Sequence, residues 1–212
     1  MTDTTNWLRF VQRFSALAET GLAYSQNDYD KERYAEIKVI GLEMLANMAN
    51  VSAATIIELM PPDKGYQTPK VDIRAVVLNA SNELLMVQEK VDENRWSLPG
   101  GWADIGYTPF EVAEKEVFEE TGLEVKATRL LAVFDKKMHP HPPQPWYVYK
   151  FYILCQVTGG ELLADTIETG EASWIDQKAL GTIPFSTDRI TLSQLKTVLR
   201  ISADPNGPTL CD

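Results

Sequence analysis

The sequence has 212 residues, 44% hydrophobic and 24% charged, with 12 Gly and 12 Pro. That balance belongs to a folded chain with room for one full core plus a smaller unit, and it excludes a collagen, a fibre or a disordered tail. Twenty Lys and Arg stand against 30 Asp and Glu, a net charge of −10, which excludes capture of nucleic acid or anionic membrane by bulk charge. The two cysteines are Cys155, inside an apolar run, and Cys211, so a disulfide framework is not expected. Residues 1–6 lack a basic segment leading into an apolar core, and no run approaches the roughly 18–20 apolar residues of a membrane span. A cytoplasmic protein is the expectation.

The first sixty residues carry helical spacing. Trp7, Val11, Phe14 and Leu17 recur at i, i+4, i+7 and i+10, and Tyr34, Ile37, Gly41, Met44, Leu45 and Met48 repeat the stripe. Two amphipathic helices are expected, with residues 26–30 as the turn. Ser52 is placed to cap a shorter third helix through Ile56, Ile57 and Leu59, which Pro61 and Pro62 end. The apolar stripe of these helices predicts a homodimer through this domain. Residues 1–65 hold six Lys and Arg against nine Asp and Glu and show no basic recognition helix, so DNA binding is not expected.

After a segment rich in Pro, Gly, Asp and Lys, the texture changes to short runs of β-formers at 71–78, 84–88, 130–134 and 146–157. The predicted division is a helical N-terminal accessory domain, 1–65, and a mixed α and β domain, 66–212. Residues 79–82 read as a hairpin loop, which predicts that the first two strands pair. A final amphipathic helix is expected at about 186–201.

Residues 100–123, GGWADIGYTPFEVAEKEVFEETGL, carry the chemistry. Thr108 is placed as helix N-cap, Pro109 as first helical residue, Glu111 as capping-box partner and Gly122 as the residue that ends the helix. At 100° per residue, Glu116, Glu119 and Glu120 project within an arc of about 100°, bordering the arc of Phe110, Ala113 and Val117 that should pack on a sheet. Carboxylates so close raise one another's pKa unless a cation sits among them, and their place near the C-terminal end of the helix adds to the cost. A solvated acidic face is the plain alternative. The adjacent glycines favour a site, because a Gly-containing loop at residues 98–101 can turn backbone carbonyls toward the same ion. An oxygen-only donor set suits Mg²⁺ or Mn²⁺, which keep waters and bind substrate phosphates.

Gly101, Glu116, Val117, Glu119, Glu120, Gly122 and Leu123 fall at the spacing G-x5-E-x7-R-E-U-x-E-E-x-G-U, where U is aliphatic, and the stretch thereby resembles the Nudix box. The resemblance implies an α/β/α sandwich with a mixed sheet, here preceded by a small all-helical domain. It implies metal-assisted hydrolysis of a nucleoside diphosphate linked to another group, X. It makes Glu116 and Glu120 principal metal ligands, with Glu119 assisting and the Gly100 carbonyl completing the shell. Two positions depart: Tyr107 stands where the pattern has its first Glu, and Lys115 where it has Arg. Lys115 keeps the charge but loses the planar fork that pairs bidentately with a carboxylate. The N-terminal segment with Trp7, residues 20–25 and 30–34, then residues 69–74, 135–143 and 149–151, is similar to the bacterial Nudix subgroup that includes CDP-choline and ADP-ribose pyrophosphatases. Those two substrates are the expectation. A weakly catalytic module that binds a nucleotide metabolite as a regulator is the alternative, kept open by Tyr107 and Lys115.

The base that activates water is expected among the box glutamates or at Glu168 and Glu171, whose plain reading is an acidic surface turn. Arg74 and Lys90 are candidates to hold substrate phosphates, against an ordinary ion pair. Trp102, and less so Trp96, is a candidate to stack on a base, against core packing. Pro140, Pro142 and Pro143 forbid a helix that would align His139 and His141 on a transition metal, so a loop over the active site is expected there.

Overall fold

The computed structural model describes residues 3–59, 65–163, 166 and 169–212, and the chain divides into two compact units. One comprises residues 1–69 with 143–147, the other residues 70–142 with 148–212.

In the first unit α1 (Asp3–Tyr24) and α2 (Asp28–Ala49) form a helical hairpin followed by α3 (Ala53–Leu59). The turn is tighter than residues 26–30, because Asn27 caps α2 by accepting the Tyr29 N–H at 2.9 Å. Ser52 caps α3 as the sequence predicts, accepting the Thr55 N–H at 3.1 Å. Small residues bring the helices together: a methyl at Gly21 would lie 2.4 Å from the Tyr34 ring, and one at Gly41 2.7 Å from the Ser15 hydroxyl. Little apolar surface is lost in return. Val11, Ala18, Ala46 and Ile56 are buried, whereas Trp7, Phe10, Leu17 and Tyr24 remain at least half exposed.

The second unit is built on two sheets. One has the order β1 (Lys70–Val77), β5 (Val148–Gly160), β4 (Leu123–Asp135), β7 (Leu210–Cys211), with β1 parallel to β5 and β4 antiparallel to it. The other is antiparallel, in the order β3 (Arg95–Ser97), β2 (Leu84–Glu89), β6 (Thr169–Ile175). The expected pairing of the first two strands is corrected. Residues 79–82 do turn the chain, with the Asn79 side chain accepting the Ser81 and Glu83 N–H groups, but they carry it from one sheet into the other. A single bridge, Leu78 to Leu84, remains of the predicted hairpin.

β1 serves two cores because its side chains alternate. Ile73, Ala75 and Val77 pack with Val112, Ala113 and Val117 of α4 (Pro109–Thr121). Val76 joins the core that holds Met86, Leu131, Phe134 and Tyr152 with Leu195 and Val198 of α5 (Leu192–Ser202). The last helix starts later than residue 186, because Thr191 and Gln194 close a capping box there. Asp72 and Arg74 lie on the Val76 side of β1, which places two charged groups at the mouth of an apolar core.

Candidate active site

The ends of α4 are fixed as the sequence predicts. The Thr108 hydroxyl accepts the Glu111 N–H at 3.3 Å, the Glu111 carboxylate accepts the Thr108 N–H at 2.7 Å, and Pro109 opens the helix. Gly122 takes φ 75° and donates its N–H to the Phe118 carbonyl at 2.8 Å. The buried face is wider than expected and turned. Val112, Ala113, Val117, Glu120 and Thr121 are buried, while Phe110 is 36% exposed. With Glu116 at zero, that face runs from about 320° at Val112 to about 140° at Thr121 at 100° per residue. Glu116 and Glu120 therefore sit in the middle of the buried face instead of along its border, and Glu119 falls outside it.

Both buried-face carboxylates meet the glycine loop. Glu120 accepts the Gly100 N–H at 2.8 Å. Desolvation raises its carboxyl to about 8, with the charges of Glu89 and Glu116 adding to the rise and Arg74 and the Gly100 N–H opposing it. The Glu116 carboxylate lies over Gly101, where a methyl group would be 3.0 Å from its carbon and oxygens. Gly100 has φ +144°, and a methyl there would be 2.0 Å from the Ile73 carbonyl oxygen. The loop is stitched to β1 by three N–H donors: Ile73 to Gly101 O, Ala75 to Pro99 O, and Ala103 to Val71 O, at 2.8, 2.8 and 2.9 Å.

Lys115 occupies the space between acidic groups. Its ammonium lies 2.9 Å from Glu119, 3.4 Å from Asp104 and 3.7 Å from Glu116. The hydrogen bond to Glu119 is the chief reason its pKa is raised. Among the described residues no three His, Cys, Asp or Glu side chains stand together so as to hold a metal ion unaided. Of the expected trio, Glu116 and Glu120 meet the glycine loop, while Glu119 is half exposed and pairs with Lys115. Two carboxylates beside a glycine loop, one of them raised in part by the charge of the other, fit a hard divalent cation, which would complete its shell from backbone carbonyl and water.

Beside this pair lies a buried ionic network that the spacing arguments missed. Arg74, 2% exposed, donates to Asp72 at 3.0 and 3.1 Å, to the Leu98 carbonyl at 3.1 Å, to Ser97 at 3.4 Å and to Glu89 at 3.5 Å. Lys150, opposite Asp72 in the parallel register of β1 and β5, donates to its other oxygen. Burial would raise Asp72, but Arg74 and Lys150 outweigh it and hold the carboxyl at about 2. Burial lowers Lys150 to about 8 despite Asp72. Arg189 reaches Glu89 at 3.4 Å, and Lys136 pairs with Asp188 at 2.7 Å.

Residues 68–194 match the NUDIX domain family, and residues 5–60 match the family described as UDP-X-like, N-terminal oligomerisation domain. The chain belongs to the Nudix family. It is 42% identical over 209 residues to YjhB of Bacillus subtilis (strain 168), which is provisionally named an ADP-ribose pyrophosphatase, and the match covers 98% of each chain. Among solved structures, a UDP-X diphosphatase aligns over 100% of both chains at 29% identity and TM-score 0.61. An ADP-ribose pyrophosphatase from Streptococcus suis 89-1591 aligns with 68% of this chain and 100% of its own at 35% identity and TM-score 0.59. As a Nudix hydrolase the protein acts on pyrophosphate bonds.

Against the Nudix frame, the remaining sequence-predicted residues divide. Arg74 is buried, with all three of its guanidinium nitrogens donating to protein acceptors. Lys90 donates to the Thr166 carbonyl. Trp102 is 44% exposed and bridges to Asp72 through the backbone, while Trp96 packs in the core with α5. Glu171 is exposed on β6 rather than on a loop, and Glu168 lies outside the described residues. The His139 and His141 rings lie 6.4 Å apart, centroid to centroid. His139 bonds Asp212 at 2.8 Å, and His141 Nδ1 bonds the Thr187 carbonyl at 2.7 Å. Among the described residues no helix is long and apolar enough to cross a membrane.

Proposed function

We propose that the protein hydrolyses the pyrophosphate bond of a nucleoside diphosphate linked to X, of the ADP-ribose or CDP-choline type, giving a nucleoside monophosphate and phospho-X. The observation that carries the reading is the pairing of Glu116 and Glu120 on the glycine loop, in a chain similar along its length to YjhB and to a UDP-X diphosphatase. Glu116, Glu120 and the Gly100 carbonyl would hold Mg²⁺ or Mn²⁺, with Glu119 joining when it leaves Lys115. The ion would neutralise charge developing on the phosphoryl oxygens and lower the pKa of a bound water.

The protein's own groups do the positioning. The Gly100 N–H orients Glu120, and Lys115 sets its ammonium between Glu116 and Glu119, supplying the charge that the box otherwise takes from arginine. That ion-pair set favours an enzyme over the regulator alternative. Glu119, Glu168 and Glu171 are the candidates to take the proton from water. Lys90 and Trp102 remain candidates for substrate contact, at the end of β2 and beside the glycine pair.

The helical unit is proposed to join two copies of the chain. Trp7, Phe10, Leu17 and Tyr24 fall within about 100° of arc on α1, an exposed apolar stripe of the kind that marks an interface. Two free cysteines, Cys155 buried and Cys211 exposed, accord with a reducing, cytoplasmic setting. The substrate assignment is tested by a panel of ADP-ribose, CDP-choline, NADH, diadenosine polyphosphates and nucleoside triphosphates with Mg²⁺ or Mn²⁺. Turnover of ADP-ribose or CDP-choline well above the triphosphates is expected; preference for triphosphates would refute the assignment.

A further inference from the structure

We propose that Lys150 is a positioning residue for the reaction: through Asp72 and Arg74 it fixes the glycine turn on which the Glu116 and Glu120 carboxylates rest. The inference builds on the metal-site reading above.

The connection can be followed atom by atom. Lys150 is opposite Asp72 across two parallel strands and donates to Oδ2. Asp72 Oδ1 then receives Arg74 Nη2 at 3.0 Å and Nε at 3.1 Å. Arg74 Nη1 donates to the Leu98 carbonyl at 3.1 Å. Two residues later the Gly100 N–H meets Glu120. The same strand holds the turn from its backbone through Ile73 and Ala75, so β1 grips the loop by main chain and side chain together.

Stability alone is a poor reason for this arrangement. The side chains of Lys150, Asp72 and Arg74 are 3%, 5% and 2% exposed. Removing such charges from water costs several kcal/mol per ion, and their attraction often only offsets it, so apolar residues of similar volume would hold the fold as well. What a buried bidentate pair adds is direction. Here the direction is toward Leu98, at the entrance of a turn on whose second glycine an added methyl would come within 3.0 Å of the Glu116 carboxylate. At φ +144° Gly100 takes a conformation that glycine adopts freely among many others, so the contacts around the turn are what select it.

The test uses the full chain with Lys150→Met, which leaves Asp72 paired with Arg74, and with Lys150→Met combined with Asp72→Asn, which leaves Arg74 with Glu89 as its acidic partner. Three readouts are taken: Mn²⁺ binding without substrate by electron paramagnetic resonance, hydrogen exchange of the Gly100 and Gly101 amides, and kcat separately from KM. Both variants should weaken Mn²⁺ binding roughly tenfold, lower kcat by a similar factor with KM little changed, and raise Gly100 amide exchange roughly tenfold. Lys150→Arg, which keeps the charge and the donor, should recover much of the loss. Val198→Ala, a core truncation among residues packed by α5, should lower the thermal midpoint without moving Mn²⁺ binding. A folded double variant with parental Mn²⁺ binding, Gly100 exchange and kcat would overturn the proposal. If Glu120→Gln leaves Mn²⁺ binding intact, the metal reading fails by itself, and the exchange data still decide whether Lys150 orders the turn.

Discussion

The two units of the chain spend their side chains in opposite ways. The helical unit leaves large apolar groups in water, with Leu17 67% and Tyr24 68% exposed, and buries chiefly small residues between its helices. The α/β unit fills two apolar cores and then buries Asp72, Arg74, Glu89, Glu120 and Lys150. Each departure from the usual partition of residues marks a task. Exposed apolar surface calls for a partner, and buried charge calls for geometry that water would otherwise blur.

The comparison can be broken most severely at the two carboxylates on the glycine loop. Glu116→Gln and Glu120→Gln should each lower kcat roughly 10²–10³-fold while the protein stays folded, measured by steady-state kinetics with circular dichroism as the control. Gly100→Ala should cost about 2 kcal/mol or more of stability and most of the activity, because its methyl would meet the Ile73 carbonyl at 2.0 Å. Denaturant unfolding read beside turnover checks both parts, and a parental midpoint would contradict the close approach. In the helical unit, Leu17→Glu should shift the protein from dimer to monomer in sedimentation at micromolar concentration without changing kcat by more than about twofold.

Smaller effects sharpen the contrast. The metal-free Glu120 carboxyl is raised from 4.5 to about 8, so its contribution favours the folded state fully below 4.5 and is lost as pH rises through about 8. Thermal midpoints of the metal-free protein should fall by several degrees across that window, and Glu120→Gln should flatten the slope. An unchanged slope would mean that Glu120 is not the group being titrated. Lys115→Ala should reduce kcat about tenfold in steady-state kinetics, since Glu116 and Glu119 lose the cation that sets their positions, while Mn²⁺ affinity is not lowered.

Much of this was legible in the sequence because it rests on local rules. The capping box at Thr108, the helix end at Gly122, the Ser52 cap and the Nudix spacing all depend on residues a few positions apart. What escaped depends on residues far apart. The loop at 79–82 has the composition of a hairpin, yet nothing local says that its strands enter different sheets. Glu119 matches Glu116 and Glu120 in spacing, but its greater exposure, a product of how the helix packs, separates it from them. The sequence offers Arg74 as a phosphate holder or a plain ion pair and does not show its network, because Asp72, Glu89 and Leu98 come to it from three different segments. One signal was available: Lys150 stands inside an otherwise apolar strand, and a lone charge there needs a buried partner.

The central claim is that this Nudix hydrolase cleaves a nucleoside diphosphate-X with Glu116 and Glu120 as its metal-holding pair. The most direct measurement is product formation from ADP-ribose with Mg²⁺ by the parent protein, Glu116→Gln and Glu120→Gln side by side, resolved by phosphorus NMR. The account predicts AMP and ribose 5-phosphate in equal amounts from the parent and almost none from either variant. Equal turnover by all three proteins would contradict it.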